Sequence, residues 1–242
     1  MLSGALILLA VVSALAATLS AVAGIGGGTI LIAAMYAVGL GPMVALLLHA
    51  GVQCVSNGAR AVAYWRDVDW RNGLLCAAVA LPWPFLVAHW LVRADADALR
   101  LLLGLFVLAN LLPKPARVEA LPLRWRMIVA GVLKGLIGPV VGASGLILAP
   151  FFFAPQWRKE QTVATLALVQ TIGHIVKIAA YLWAGVALGG YAGWFPVLAL
   201  AVVLGTVLGR RIMHRVSQQR FAQIFQLVMG LLGAKLVFDA LA

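Results

Sequence analysis

The segment Ala23-Gly24-Ile25-Gly26-Gly27-Gly28-Thr29 places four glycines in five positions between two strongly apolar runs. Glycine costs a helix about 1 kcal/mol per residue relative to alanine, so this cluster predicts a break in the backbone. Broken backbone at membrane depth persists only where protein or a water-filled cavity solvates it, and its free N–H groups there suit an anion. Close packing of helices through small residues explains a single cluster equally well.

A second segment of small residues, Val141-Gly142-Ala143-Ser144-Gly145, favours the break. Its residues correspond to those of the first segment: Gly24 with Gly142, Gly26 with Ser144, and Gly27 with Gly145. Paired interruptions in the two halves of a chain are the best sequence indication of a transporter's binding site. We therefore expect Gly26, Gly27, Gly28, Ser144 and Gly145 to bind a substrate.

The composition is that of a polytopic membrane protein. Of 242 residues, 64% are hydrophobic and 10% are charged, whereas about a quarter of a soluble domain is charged. The net charge is +11, but the chain has no basic, aromatic-interleaved soluble segment that would bind nucleic acid. The excess of basic residues instead indicates which loops lie on the cytoplasmic side of a membrane. Cys54 and Cys76 both lie in apolar runs, and we expect core residues and no disulfide.

Ten apolar runs predict helices. They cover approximately 2–22, 29–38, 42–64, 73–91, 98–112, 127–141, 146–154, 162–183, 190–208 and 221–240. A crossing needs about 20 residues, so 29–38 and 146–154 predict the returning limbs of re-entrant helices. The expected fold is all-α, with two inverted repeats that each contain a glycine-broken, re-entrant helix and three transmembrane helices. The repeats are 1–112 and 127–242, and 113–126 is a cytoplasmic linker.

The distribution of basic residues favours this topology. One side collects 12 of them: Arg66, Arg71, Lys114, Arg117, Arg124, Arg126, Arg158, Lys159, Arg210, Arg211, Arg215 and Arg220. The other side collects Arg93 and Arg100, whereas eight plain crossings would divide the same residues 6 against 8. The positive-inside rule therefore predicts that the first side is cytoplasmic. Because run 2–22 is long enough to cross completely, the sequence leaves open whether the first hairpin re-enters or crosses.

Runs 42–64 and 162–183 share a polar stripe. With an offset of 117, Gln53 aligns with Gln170, Asn57 with His174, Arg60 with Lys177, and Tyr64 with Tyr181. This spacing puts each set on one helical face. Such groups are costly in a membrane and indicate an interior site, although helix–helix hydrogen bonds and snorkelling are the alternative. We expect the glutamines to hold an anion near the midplane and the two cations to attract it from either side.

Other polar residues narrow the chemistry. Lys134 is a candidate for a fixed positive charge or a snorkelling residue, and His49 and His174 are candidates for proton coupling or packing. All seven acidic residues lie in loops or at the ends of runs, which argues against cation transport. The histidines and cysteines have no metal-ligand spacing, and no nucleophile motif is present. We therefore expect no metal, no cofactor and no enzymatic activity.

The chain resembles the sulfite exporter TauE/SafE family of membrane transporters over nearly its whole length. The resemblance lies in the first glycine segment, in Ala63-Tyr64-Trp65-Arg66-Asp67-Val68-Asp69-Trp70-Arg71, and in Gly142-Ala143-Ser144-Gly145 before Pro150. It implies transport of sulfur-containing anions such as sulfite or sulfonates across a bacterial inner membrane. The chain departs from the family pattern in two places. No proline follows the first segment closely, and Ser144 stands where glycine is common, although its hydroxyl can donate to an oxyanion.

We therefore expect an ion-coupled, alternating-access transporter of sulfite or an organosulfonate. Its expected partners are a small anion and the lipid bilayer, without nucleic acid, and a homodimer is compatible with the sequence. Two alternatives stay open. One is a flippase for a lipid-linked phosphate, which competition by a soluble sulfur anion would exclude. The other is an accessory membrane subunit that transports nothing, in which substitutions in the polar stripe would leave function intact.

Overall fold

The computed structural model describes residues 4–23, 26–112, 118, 121–154, 156–212 and 218–241, and within them it contains helices and no strand. The helices are α1 Gly4–Ala23, α2 Gly27–Ala37, α3 Pro42–Ala63, α4 Trp70–Ala80, α5 Trp83–Leu91, α6 Ala96–Ala109, α7 Leu123–Val141, α8 Gly145–Phe152, α9 Lys159–Trp183, α10 Trp194–Ile212 and α11 Gln218–Leu241. Short 3₁₀ turns cover Trp65–Asp67 and Gly189–Tyr191. Every predicted apolar run contains a helix, which confirms the all-α prediction.

The predicted run 73–91 forms two helices, α4 and α5. Pro82 is the N-cap of α5 and Pro84 lies in its first turn. A proline ring removes a backbone donor and clashes with the preceding turn, so α4 ends before this pair. At its other end α4 begins at Trp70, earlier than predicted, because the Asp69 carboxylate accepts the N–H of Asn72 at 3.0 Å and caps the helix.

Four segments are long and apolar enough to cross a membrane: Gly4–Ala21, Trp70–Leu91, Lys159–Trp183 and Gly189–Gly209. Helices α2 and α8, with 11 and 8 residues, are too short to cross. The protein is thus a multi-pass membrane protein. Three crossings in each half and the re-entrant path of the broken helices stay predictions.

Glycines in the left-handed region mark both predicted breaks. Gly26, with φ of 99°, is the N-cap of α2, and Gly142, with φ of 73°, follows the last residue of α7. Side chains disfavour this backbone conformation, so both positions favour glycine. Gly24 and Ile25 lie outside the described residues. Gly27 and Gly28 already belong to α2 and form its first turn, so the described part of the first segment is a helix start rather than an open loop.

Glycines bring several helix pairs into close contact. A Cβ atom on Gly205 of α10 would lie 2.1 Å from the Ala14 carbonyl oxygen of α1, and one on Gly131 of α7 would lie 2.7 Å from the Cys76 carbonyl oxygen of α4. Helix α3 packs on α9, and α6 on α11. Such small-residue contacts are typical of membrane helices. In this packing the two helices with the polar stripes, α3 and α9, lie side by side.

Candidate functional site

A polar cavity lies between α3 and α9, where the first turns of α2 and α8 reach them. Its volume is about 40 Å³, which is room for about three water molecules or one small oxyanion. Nine of the predicted site residues line it: Gly26, Gly28, His49, Gln53, Asn57, Arg60, Gly145, Gln170 and His174. The stripe spacing and the two glycine segments therefore converge on one space.

Two hydroxyl residues that the sequence analysis did not single out, Ser20 and Thr29, also line the cavity. Both are buried. Ser20 precedes the first glycine segment and Thr29 is its last residue, and this proximity to the break was the sequence signal that could have identified them. They add hydroxyl donors and acceptors to the side of the cavity formed by α1 and α2.

Two predicted site residues contact helix backbone instead of the cavity. A Cβ atom on Gly27 would lie 2.3 Å from the Ala16 carbonyl oxygen, so Gly27 is where α2 packs on α1. The Lys177 Nζ atom donates to the carbonyl oxygens of Gly142 at 2.5 Å and Gly138 at 3.5 Å. These carbonyls lie at the end of α7, where helix geometry leaves acceptors unpaired and attracts a cation.

In the first half, a chain of hydrogen bonds orients Gln53. The Arg60 guanidinium donates through Nη2 to Asn57 Oδ1 at 2.9 Å. The Asn57 amide then donates through Nδ2 to the backbone oxygen of Gln53 at 2.9 Å and to its Oε1 atom at 3.4 Å. An arginine can only donate, so it fixes the direction of every bond that follows.

In the second half, two donors from the broken helices orient Gln170. The Lys134 ammonium group on α7 donates to Gln170 Oε1, and the Ser144 hydroxyl donates to the same atom at 3.3 Å. Lys134 and Ser144 therefore reach the cavity through Gln170 and do not line it. Because an ammonium group only donates, the amide oxygen of Gln170 must face it.

Both glutamines consequently keep their NH₂ groups free to donate. Neither Nε2 atom has a hydrogen-bond acceptor among the described residues. A Cβ atom on Gly145 would lie 3.2 Å from Gln170 Nε2, and one on Gly28 would lie 3.2 Å from Gln53 Cδ. Each glutamine thus packs on the first turn of a broken helix. Gly28 and Gly145 therefore correspond in their contacts with the glutamines. Gly26 and Ser144 correspond as the N-caps of α2 and α8, in the alignment that the sequence predicted.

The buried charges of this region are all positive. Lys134 and Lys177 are 5% and 4% exposed. The ion pairs among the described residues join partly or fully exposed side chains, none of which lines the cavity: Arg100 with Asp97, Arg158 with Asp67, and Lys235 with Asp239. No described carboxylate is buried. A cluster of buried cations without carboxylates favours a bound anion.

Two histidines meet at the cavity. The rings of His49 and His174 are edge to face, with centroids 5.9 Å apart. His49 Nε2 lies 2.9 Å from the Gly28 carbonyl oxygen, while the Nδ1 atoms of both histidines are buried without a partner among the described residues. A carbonyl only accepts, so His49 carries its proton on Nε2 and its Nδ1 atom is a bare acceptor.

The sequence analysis missed two positions that build this region. Gly173 leaves the space for Lys134, because a Cβ atom there would lie 2.2 Å from Lys134 Cε. Arg126, which was assigned to the cytoplasmic linker 113–126, lies in α7 and is 2% exposed. It donates to the carbonyl oxygens of Pro150 at 2.9 Å and Phe153 at 2.7 Å. It stabilises the end of α8. For the contact between Gly173 and Lys134, the only sequence signal was that Gly173 is the single glycine within run 162–183.

Comparison with known proteins identifies the family of the chain. The model of a family described as sulfite exporter TauE/SafE matches residues 9–236. A protein of Cupriavidus necator named probable sulfite/organosulfonate exporter TauE is 28% identical over 231 residues, which are 91% of this chain and 89% of that protein. No solved structure matches the chain significantly.

Proposed function

Because the chain belongs to the sulfite exporter TauE/SafE family, we propose that it carries sulfite or a small organosulfonate across a membrane and binds it in the cavity between α3 and α9. The name of the Cupriavidus necator relative supports this class of substrate. The volume of the cavity, about 40 Å³, suits an oxyanion group.

The orientation of the two glutamine amides is the observation that carries the proposal. Lys134 donates directly to the amide oxygen of Gln170, and Arg60 acts through Asn57, which donates to the amide oxygen of Gln53. The NH₂ groups of both glutamines therefore stay available as donors. A sulfite or sulfonate group has three oxygens that accept hydrogen bonds. At neutral pH a sulfonate is deprotonated, so its oxygens only accept. A cavity with amide donors therefore selects an anion of this kind.

The broken helices add a second attraction for an anion. The first turns of α2 and α8 reach the cavity through Gly28 and Gly145. The first N–H groups of a helix have no partner within it and carry partial positive charge. Half-helix N-termini at the middle of a transporter are suited to the anionic part of a substrate. The same field, with Lys134 and Lys177 near, repels cations.

Helix packing supports two inverted repeats, residues 1–112 and 127–242, joined by 113–126, whose last four residues already form the start of α7. Helix α1 of the first repeat packs on α10 of the second, and α7 of the second packs on α4 of the first. The central pair α3 and α9 and the outer pair α6 and α11 join corresponding helices. In this proposal the repeats rock about the α3–α9 contact, so that the cavity opens to either side of a bacterial inner membrane.

Uptake into proteoliposomes tests the proposal. Vesicles with the wild-type protein should take up labelled sulfite and labelled methanesulfonate faster than vesicles without protein, and each unlabelled anion should compete. Gln53→Ala should abolish uptake, while Gln226→Ala, a change of an exposed residue on α11, should not. Absence of uptake of both anions by the wild type would contradict the substrate class. Normal uptake by Gln53→Ala would contradict the site.

A further inference from the structure

Among the residues that line the cavity, His49 carries an acceptor that does not fit an anion site. Gln53, Gln170 and Arg60 carry donors, yet the Nδ1 lone pair of His49 is buried without a partner among the described residues. A flip of the ring or a move of the proton to Nδ1 would break the hydrogen bond from Nε2 to the Gly28 carbonyl oxygen. A lone pair repels the oxygens of an anion, and a buried acceptor without a partner is itself costly. Protonation of Nδ1 removes both difficulties.

The charges around His49 make this protonation depend on the anion. On α9, the His174 ring and the Lys177 charge face it. The charges of Lys134 on α7 and Arg60 on α3 act on the neighbouring ring of His174. Helix α2 brings Tyr36 and no charged residue, while α6 and α10 carry their charges at the helix ends and α1 carries none. No described carboxylate is buried near the pair. An additional positive charge is therefore stabilised only when an anion is present.

We propose that His49, with His174 beside it, accepts a proton on Nδ1 whenever the cavity binds its anion, so that each anion crosses the membrane with one proton. The proton adds to the Nδ1 lone pair. The imidazolium then donates from Nδ1 to an anion oxygen and from Nε2 to the Gly28 carbonyl oxygen. On release at the opposite side, the proton and the anion both leave, and neutral His49 is restored. This inference rests on the proposed function and names its coupling ion.

Methanesulfonate is the probe, because a sulfonate carries no proton of its own at neutral pH. Proteoliposomes are loaded with a pH-sensitive dye, and their membrane potential is clamped at zero. Methanesulfonate that enters through the wild-type protein should acidify the lumen. His49→Gln keeps a donor for the Gly28 carbonyl oxygen but offers no basic nitrogen. Whatever its rate of methanesulfonate entry, this variant should lose the acidification that accompanies each methanesulfonate in the wild type.

His89→Gln is the matched control, because His89 is exposed and contacts Trp183 outside the cavity. It should acidify the lumen as the wild type does. Acidification by His49→Gln equal to that of the wild type, or methanesulfonate entry through the wild type without acidification, would overturn the inference alone. Absence of any exchange of sulfite or methanesulfonate by the wild type would instead overturn the proposed function, and the inference with it.

A measurement without substitution protects the test against a variant that does not fold. Histidine labelled with ¹⁵N reports the protonation of each ring nitrogen by NMR of the wild-type protein in lipid nanodiscs. Addition of methanesulfonate should convert one buried histidine from the neutral form with a proton on Nε2 to the doubly protonated form. An unchanged spectrum at saturating methanesulfonate would overturn the inference.

Discussion

The two halves of the cavity orient equivalent glutamines by different means. In the first half, the cation Arg60 lies on the same helix as Gln53 and acts through Asn57. In the second half, the aligned cation Lys177 contacts the end of α7 instead, and Gln170 receives its donor from Lys134 on that helix. In both halves the amide oxygen is occupied and the NH₂ group is left for the cavity.

Packing explains why the halves differ. The position of Lys134 corresponds in the first half to Ala16. A Cβ atom on Gly27 would lie only 2.3 Å from the Ala16 carbonyl oxygen. Helix α2 thus packs directly on α1 at this position, where Ala16 is buried. In the second half, Gly173 leaves that space open. The comparison teaches that the sequence repeat preserves the donor geometry and not the individual cations.

Loss of the Lys134 charge should have the largest effect among the single changes outside the cavity lining. Lys134→Met removes the donor that orients Gln170, and a hydrogen bond to a charged group contributes about 1.5–3 kcal/mol. The affinity for the anion should fall roughly 10- to 100-fold, measured from the concentration dependence of sulfite uptake. The control is Lys235→Met, because Lys235 is exposed and pairs with Asp239. Equal affinities in Lys134→Met and the wild type would contradict the asymmetry of the halves.

Gly173→Ala tests the same contact without a change of charge. The added methyl group would lie 2.2 Å from Lys134 Cε, so the lysine must move away from Gln170. Sulfite uptake should fall in the same direction as in Lys134→Met, and less steeply. If Gly173→Ala transports as the wild type does, the position of Lys134 is not important for Gln170.

Methyl groups on the first turns of the broken helices should have a smaller effect. Gly145→Ala approaches Gln170 Nε2, which is the donor itself, whereas Gly28→Ala approaches Gln53 Cδ. Both should lower the affinity for the anion several-fold, and Gly145→Ala should do so more strongly. Gly193→Ala, where nothing lies within 4 Å, is the control. A larger effect of Gly28→Ala would reverse the order that the contacts predict.

The smallest effect is expected outside the cavity. Arg158 and Asp67 join the two halves through an ion pair of 2.8 Å, but the Arg158 side chain is 69% exposed. Exposed pairs contribute about 0–1 kcal/mol. Arg158→Ala should leave sulfite uptake within about two-fold of the wild type and lower the melting temperature only slightly. A strong loss of uptake would show that this surface contact takes part in transport.

The sequence predicted the helices and most of the cavity because both depend on local patterns. Apolar runs define the helices, and the spacing of Gln53, Asn57 and Arg60 places them on one face whatever the surroundings. Contacts between distant segments were not predictable in this way. Lys134 reaches Gln170 only because Gly173 is small, and Lys177 contacts Gly142 only because α7 ends there. Such contacts depend on packing between helices, which periodicity does not encode.

Replacement of each glutamine by glutamate tests the central claim most directly. Gln53→Glu and Gln170→Glu keep the size of the side chain and convert its NH₂ donor into an acceptor, and Gln170→Glu also gives Lys134 a carboxylate partner. The measurement is sulfite uptake into proteoliposomes, with Gln226→Glu on the exposed face of α11 as the control. We predict that uptake is lost in both cavity variants and unchanged in the control. Uptake at the wild-type rate in either cavity variant would contradict the account, because the anion would then not depend on amide donors between α3 and α9.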